Sequence, residues 1–475
     1  MPIAVFSEAD RGALHVSLAD AAFCIGPGPA KESYLSGDNI LRAARLANAD
    51  AIHPGYGFLS ENADFAQHCT EAGLTFVGPP AQVIRLLGDK IAAKRLMAQI
   101  GVPLVPGYNG DDQSDARLHQ EAMQIGMPLL IKAAAGGGGR GMRVVRHEDD
   151  LETALADARR EAHAAFGDER VLLERYVARS RHIEVQIFGD THGNMVHLYE
   201  RECSIQRRHQ KIIEETPSPA LSPELRQRIT QAAVQAGRAA GYVNAGTVEF
   251  LLEERTDGEH DFYFLEVNTR LQVEHPVTEM LTGFDLVQLQ FRVADGEPLP
   301  FTQQEIVPSG HALEMRIYAE DAAAGFLPSI GQLTQWIAPS GPGIRVDTGV
   351  ERGDTVAPFY DPMLAKLIAR GASRAESMAR MEQALREFHV LGVRTNIPYL
   401  LAILRHPAFR AGELSTQFLQ QHFTDWKPSA AIPTAVLLAL AAQSVLAAPA
   451  RSSTSAANEE DSSSPWHTTD AWRND

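Results

Sequence analysis

Short apolar runs alternate with helical patterns over the first 80 residues. The spacing predicts strands at 3–6, 51–53 and 75–77, and helices at 38–48 and 63–72. Such alternation predicts a parallel α/β sheet. Residues 81–101 read as a helical connection holding Asp89 and Lys90. A small α+β unit follows from about 104 to 177, with strands at 128–134, 141–146 and 171–174 and a long helix at 149–166. Beyond it strands dominate, at 183–189, 195–201, 246–253 and 262–268, with helices at 223–240 and 373–388. The Ala-rich stretch 430–450 is interrupted by Pro433, Gln443 and Ser444. It reads as a packed or amphipathic helix, not a membrane span. Residues 449–465, rich in Ser, Thr, Ala and acid, read as a disordered linker.

Composition narrows the function. A chain of 475 residues, 44% hydrophobic, predicts two or three soluble domains. Sixty acidic residues against 43 basic ones give a net charge of −17. That balance excludes a nucleic-acid partner, whose phosphates need clustered Lys and Arg. An anion site must then be a local basic patch. Cys24, Cys69 and Cys203 are too widely spaced for a zinc site or a disulfide framework, so a cytoplasmic protein is expected. The first residues have no basic, apolar leader pattern, and no membrane partner is expected. Lysine stands at only seven positions, which points to Lys90, Lys132 and Lys211 as places where a compact point charge is wanted.

Four segments carry candidate chemistry. In 264–276, Glu266 and Asn268 lie two residues apart on a strand and face the same way. Arg270, Gln272 and Glu274 follow, which suggests an anionic substrate beside magnesium; the plain alternative is a strand with a solvated polar face. The hairpin 247–268 brings Glu249 near Glu266, and like charges so opposed are destabilising. A divalent cation held by both, with the Asn268 oxygen, relieves the conflict. The basic run 205–211 suits an anion, although a surface charge run is the usual reading. Finally, 132–141 contains a G-x-G-x-x-G pattern. A β-type run follows it rather than a helix, so the dinucleotide reading fails. A glycine hairpin after Lys132 reads instead as a lid over phosphates.

Taken together, 53–62, Asp89-Lys90, 132–143, 206–211, Glu249, 266–276 and 314–320 occur in the order and spacing of biotin carboxylase. The chain resembles this ATP-grasp family from about residue 3 to 425. The resemblance implies an α/β and α+β fold with four parts. These are a shortened Rossmann-like domain at 1–80, an ATP-grasp domain at 81–305 with a lid at about 105–177, a biotin carboxylase C-terminal domain at 306–425, and a helix with a linker tail at 426–475. It implies a ligase that carboxylates biotin with ATP and bicarbonate through carboxyphosphate.

Carried over by motif, Lys90, Lys132, Gly137, Gly138, Gly139, His182 and His209 contact ATP. Glu174, Arg175, Tyr176 and Val177 resemble the adenine-contacting stretch. Glu249, Glu266 and Asn268 hold magnesium or manganese. Lys211, Arg270, Gln272, Val273 and Glu274 hold bicarbonate, and Glu274 resembles the base that deprotonates it. Tyr56 and Arg316 meet biotin, with Arg316 stabilising its enolate. The implied partners are a biotin carrier domain or protein, a carboxyltransferase subunit and a second copy of the chain. Family members carry another strand, an Asn-Arg-Gly-Glu type turn and a helix before the point where this sequence starts. The expectation is an exposed sheet edge and a weakened dimer surface. None of the eleven Met residues precedes a Lys, so biotin is expected on a separate carrier. Another ATP-grasp ligase of carboxylates or carbamate, and an inactive scaffold for a carboxylase partner, are the alternatives. The Arg-x-Gln-x-Glu-His-Pro run with Arg316 favours biotin.

Overall fold

The computed structural model describes residues 1–135, 141–255, 257–428 and 434–447. Met1–Lys427 form one compact unit and Pro428–Asp475 a second. The first unit is built on an eight-stranded sheet, in the order His260–Asn268, Asn244–Glu254, Ser180–Gly189, Met195–Arg207, Gln210–Thr216, His311–Tyr318, Met363–Gly371, Ile344–Thr348. Every neighbouring pair is antiparallel. The strand Gln210–Thr216 lay hidden in the basic run, and it joins the two halves of this sheet.

Helices cover the sheet. Pro223–Ala240 starts on Ser222, whose side chain accepts from the Leu225 N–H, has Pro at its first position and ends on the left-handed Gly241. These are the stop and start signals that made the helix legible. Its Ile229 and Ala233 pack on Ile187, Val248 and Phe250. Arg374–Glu387 lays Met378, Met381 and Leu385 over Leu313, Met315 and Leu367. Leu286 and Leu289 close on Phe188, Val196 and Leu198.

A four-stranded sheet, ordered Gly107–Tyr108, Val171–Arg175, Leu129–Ala133, Met142–Val145, forms the small unit. Leu129–Ala133 and Met142–Val145 pair antiparallel, so the glycine loop does join two strands. The loop residues 136–140 lie outside the described residues.

The N-terminal segment departs from the expected single parallel sheet. Ile3–Ser7 pairs parallel with Ala21–Gly26, and Ala51–Ile52 with Thr75–Phe76, as two separate two-stranded sheets. The strand Ala21–Gly26 was missed because no polar alternation marks it. In the second unit, Thr434–Ala447 is helical as expected. Its described side chains, 436–443, are exposed, and the run carries one polar residue, Gln443, and no polar stripe, so it is not amphipathic there. The expected linker at 449–465 lies outside the described residues. Among those described, no helix is long and apolar enough to cross a membrane.

Asp89 divides the predicted connection into two helices, Ala81–Gly88 and Lys90–Gln99. Its Oδ1 accepts from the Ile91 and Ala92 N–H groups at 2.9 and 3.0 Å, while Oδ2 accepts from Arg170 at 2.8 Å. Asp89→Ala should therefore lower stability by about 1 kcal/mol, read as a lower urea midpoint at unchanged slope. An unchanged midpoint would show that the cap is dispensable.

Candidate active site

A row of charge crosses the large sheet. Glu266 stands opposite Glu249, Glu249 opposite Glu184, and Glu184 opposite Arg201, on four successive strands. Directly opposed residues share a face. Three carboxylates in line would repel, and Lys211 answers two of them, Glu249 and Glu184. Its Nζ bonds Glu184, Glu249 at 2.8 Å and, from the segment after the last strand of the hairpin, Glu274 at 2.7 Å. Burial disfavours the ammonium, but the three carboxylates outweigh it and hold the Lys211 pKa well above its ordinary value. Burial likewise opposes charge on Glu249 and Glu274, yet Lys211 with His182, and Lys211 with Arg316, keep both carboxyls well below their ordinary range. Both stay ionised at neutral pH.

Arg201 anchors the row. It is fully buried, and its five N–H groups reach Glu184 at 2.5 Å, Gln186 at 2.8 Å, Thr278 at 2.9 Å, Thr247 at 3.1 Å and Gln272 at 3.0 Å. Gln272 in turn donates to Glu249 at 3.0 Å. Arg316 donates to Glu274 at 2.9 Å and to Glu214 at 2.7 Å. Glu214 faces Glu314 across the strands, both fully buried. Burial and the Glu274 charge, against the pull of Arg316, push the Glu214 carboxyl up to about 7. Arg270 is held from the N-terminal loop: Glu61 lies 3.2 Å from its Nε and accepts the Thr269 N–H at 3.1 Å.

A second cation cluster lies farther along the same cavity. Lys132 and Lys94 sit 2.6 and 2.5 Å from the two oxygens of Glu174, and Lys90 is 3.6 Å from Glu266. His209 is at the tip of the hairpin between Met195–Arg207 and Gln210–Thr216, with Arg208 and His209 both at positive φ. Burial, Lys132 and His182 lower its pKa.

Apart from Tyr56 and the loop glycines, every residue expected at the site lines this one cavity of about 580 Å³. Gly137, Gly138 and Gly139 lie outside the described residues. Tyr56 lies elsewhere, its ring centroid 5.6 Å from Lys366 Nζ, and Lys366 is the cross-strand partner of Arg316. Lys366 also donates to the Val273 carbonyl at 2.9 Å.

The alternative of a strand with a solvated polar face holds only in part: Glu266 and Asn268 on the strand are half-buried, whereas Gln272 and Glu274 beyond its end are buried. And the fold does not need a metal to relieve Glu249 and Glu266, because Lys211 and His182 serve the first and Lys90 the second. The donors still fit magnesium. Two carboxylates and the Asn268 carboxamide oxygen, which accepts from Arg270 at 3.2 Å, are hard oxygen ligands on one cavity wall. Glu266 is the more open of the two acids, its side chain 29% exposed. Side chains of Glu174 and Arg175 are spent on Lys94, Lys132 and Glu253.

Sequence reasoning passed over Glu184, Arg201, Glu61 and Lys94. The alternation Ile183-Glu184-Val185-Gln186-Ile187 held a signal for the first, and the scarcity of lysine for the last.

Comparison with known proteins fits this geometry. Residues 1–84 match "Biotin carboxylase, N-terminal domain", 89–302 match "Carbamoyl-phosphate synthase L chain, ATP binding domain", and 314–421 match "Biotin carboxylase C-terminal domain". The chain is 49% identical over 420 residues to Biotin carboxylase 1 of Bacillus subtilis, covering 88% of this chain and 93% of that one. The chain belongs to the biotin carboxylase family. It is also 55% identical over 425 residues to the mitochondrial methylcrotonoyl-CoA carboxylase subunit alpha of Arabidopsis thaliana. That match covers 89% of this chain and spans 57% of the relative's length. Among solved structures, the biotin carboxylase domain dimer of Hydrogenobacter thermophilus 2-oxoglutarate carboxylase, in complex with MgADP, ADP and bicarbonate, superposes with a TM-score of 0.86. It is 44% identical, and the match covers 90% of this chain and 93% of that one. The ATP-grasp fold expected from the sequence is thus present.

The Arg201 hub yields a test. Arg201→Met leaves Glu184 without one of its two cations and strips Gln272 of a partner. Stability should fall by about 3–5 kcal/mol, measured by urea unfolding. A loss under about 1 kcal/mol, the scale of an exposed pair, would show that the row does not depend on it.

Proposed function

We propose that this biotin carboxylase carboxylates biotin, presented by a carrier domain or protein, using ATP and bicarbonate. The observation that carries the reading is the position of Lys211. It sits between the carboxylate row and Glu274, in the same cavity as the Lys90, Lys132 and His209 cluster. One space therefore offers cations for a triphosphate, paired acids for a metal, and an anion pocket with a base in it.

The roles follow from charge and position. Lys90, Lys132 and His209 hold the triphosphate, and the 174–177 segment borders the base. Glu249, Glu266 and Asn268 hold magnesium, which supplies positive charge to offset the negative charge building on the transferring phosphoryl group. Lys211 and Arg270 bind bicarbonate, oriented by Gln272 and Val273. Glu274 is ionised and so able to accept the bicarbonate proton. In the resting arrangement both its oxygens face cations, Lys211 and Arg316. Its basicity rises as bicarbonate draws Lys211 away and biotin draws Arg316. Phosphoryl transfer to bicarbonate yields carboxyphosphate, which breaks down to carbon dioxide and phosphate. The phosphate so released takes the ureido N–H proton of biotin, Arg316 stabilises the resulting enolate, and the deprotonated nitrogen takes up the carbon dioxide, with Tyr56 flanking the entry.

Several further readings belong to the same proposal. Domain boundaries fall near 80, 305 and 425. A carboxyltransferase subunit receives the carboxybiotin, as the name of the Arabidopsis relative suggests for an acyl-CoA substrate. Two copies pair, as in the Hydrogenobacter dimer. The three unpaired cysteines suit the cytoplasm.

The test is ADP release by the purified chain with free biotin. Release should require both bicarbonate and biotin, and Glu274→Gln should lower kcat by about 100-fold or more while nucleotide binding persists. Release at the same rate without either substrate would overturn the reading.

A further inference from the structure

Lys90 and Lys94 lie one turn apart on the helix Lys90–Gln99, on the same face. Both border the cavity, and Lys94, one turn along, is only 3% exposed. A lysine so buried is rare unless paired. Lys94 is paired, but with a carboxylate that already has a cation. Glu174, also 3% exposed, takes Lys94 on one oxygen at 2.5 Å and Lys132 on the other at 2.6 Å. The Lys94 contact is an ion pair whose angles fall outside hydrogen-bond geometry. With both lysines protonated, one anion and two cations leave the cluster with a net positive charge; burial and the Lys132 charge, against the pull of Glu174, lower the Lys94 pKa. A fold that only had to bury Glu174 would need one lysine.

The surplus has a use if Lys132 must move. Lys132 stands at the end of the strand that leads into the glycine loop. To meet a phosphate it must loosen its hold on Glu174. Were it the sole partner, its departure would leave a buried carboxylate uncompensated, which is strongly unfavourable. With both lysines in place Glu174 is ionised. Burial pushes its carboxyl up, but Lys132 and Lys94 outweigh that and hold it at about 2.

We propose that Lys94 is a positioning residue for ATP binding: it stays on Glu174 as the standing counter-ion, so that Lys132 is released to the triphosphate. This rests on the reading that the cavity takes ATP. Lys94 itself touches no substrate. Its effect is on the binding of ATP and its transition state alike, so it belongs in KM and not in kcat.

The experiment measures KM for MgATP and kcat in bicarbonate- and biotin-dependent ADP release, with melting curves, for the full chain carrying Lys94→Met, Lys94→Arg, Glu174→Gln, and the Lys94→Met/Glu174→Gln pair. Lys94→Met should raise KM about 10-fold with kcat within about 2-fold. Lys94→Arg should restore KM. In the Glu174→Gln background, where no buried anion needs a partner, Lys94→Met should change KM less than about 2-fold. An unchanged KM in Lys94→Met, or the same rise in both backgrounds, overturns the proposal. Should Lys94→Met alone fail to fold, the comparison within the Glu174→Gln background decides: equal KM values support it and a raised one overturns it. Wild-type turnover with an unchanged Lys94→Met KM sinks this inference alone. No turnover by the wild-type chain removes both it and the function beneath it.

Discussion

Lys211 carries a full positive charge into the middle of an eight-stranded sheet, and Glu184, Glu249 and Glu274 close around it. Glu249 and Glu274 stay ionised while buried through that ammonium together with His182 and Arg316. The lysine, in turn, keeps its proton only because the three acids are there. Arg201 and Arg316 extend the lattice on either side, each through a carboxylate shared with Lys211. Such mutual dependence fixes positions tightly, because moving one charge exposes another. It also leaves the lattice open to an anion that competes for the same cations.

The cavity is accordingly two electrostatic compartments joined by the Glu249–Glu266 pair. On one side, cations outnumber acids around Glu174, which suits a highly charged phosphate. On the other, acids and cations nearly balance around Lys211, which suits a small anion that must arrive, lose a proton and leave. The paired acids between them are where a hard divalent ion can serve both.

Much of this was readable from the residues. The hairpin turn and the alternation in 247–268 placed Glu249 against Glu266, and the register agrees. Helix 223–240 was legible because Ser222, Pro223 and Gly241 mark its ends. What could not be read was which polar face is dry. Glu184 and Gln186 alternate with Ile183, Val185 and Ile187, a pattern that normally means a solvated side. The helix His275–Thr282 covers that side, with Thr278 bonded to Arg201. Arg201 stands between Glu200 and Glu202 and looks like part of a surface charge run, yet all three are buried. Burial of that kind comes from packing between segments far apart in the chain, which local pattern does not encode. The N-terminal strands misled for a related reason: alternation shows that strands are parallel, not how many share a sheet.

The central claim is that Lys211 holds the lattice at rest and bicarbonate at work. The most direct measurement is the bicarbonate dependence of ADP release by Lys211→Met beside wild type, at saturating MgATP and biotin, on protein shown to be folded. The account predicts that KM for bicarbonate rises by about 10-fold or more, while KM for MgATP stays within a factor of about three. An unchanged bicarbonate KM in a folded Lys211→Met protein would contradict it.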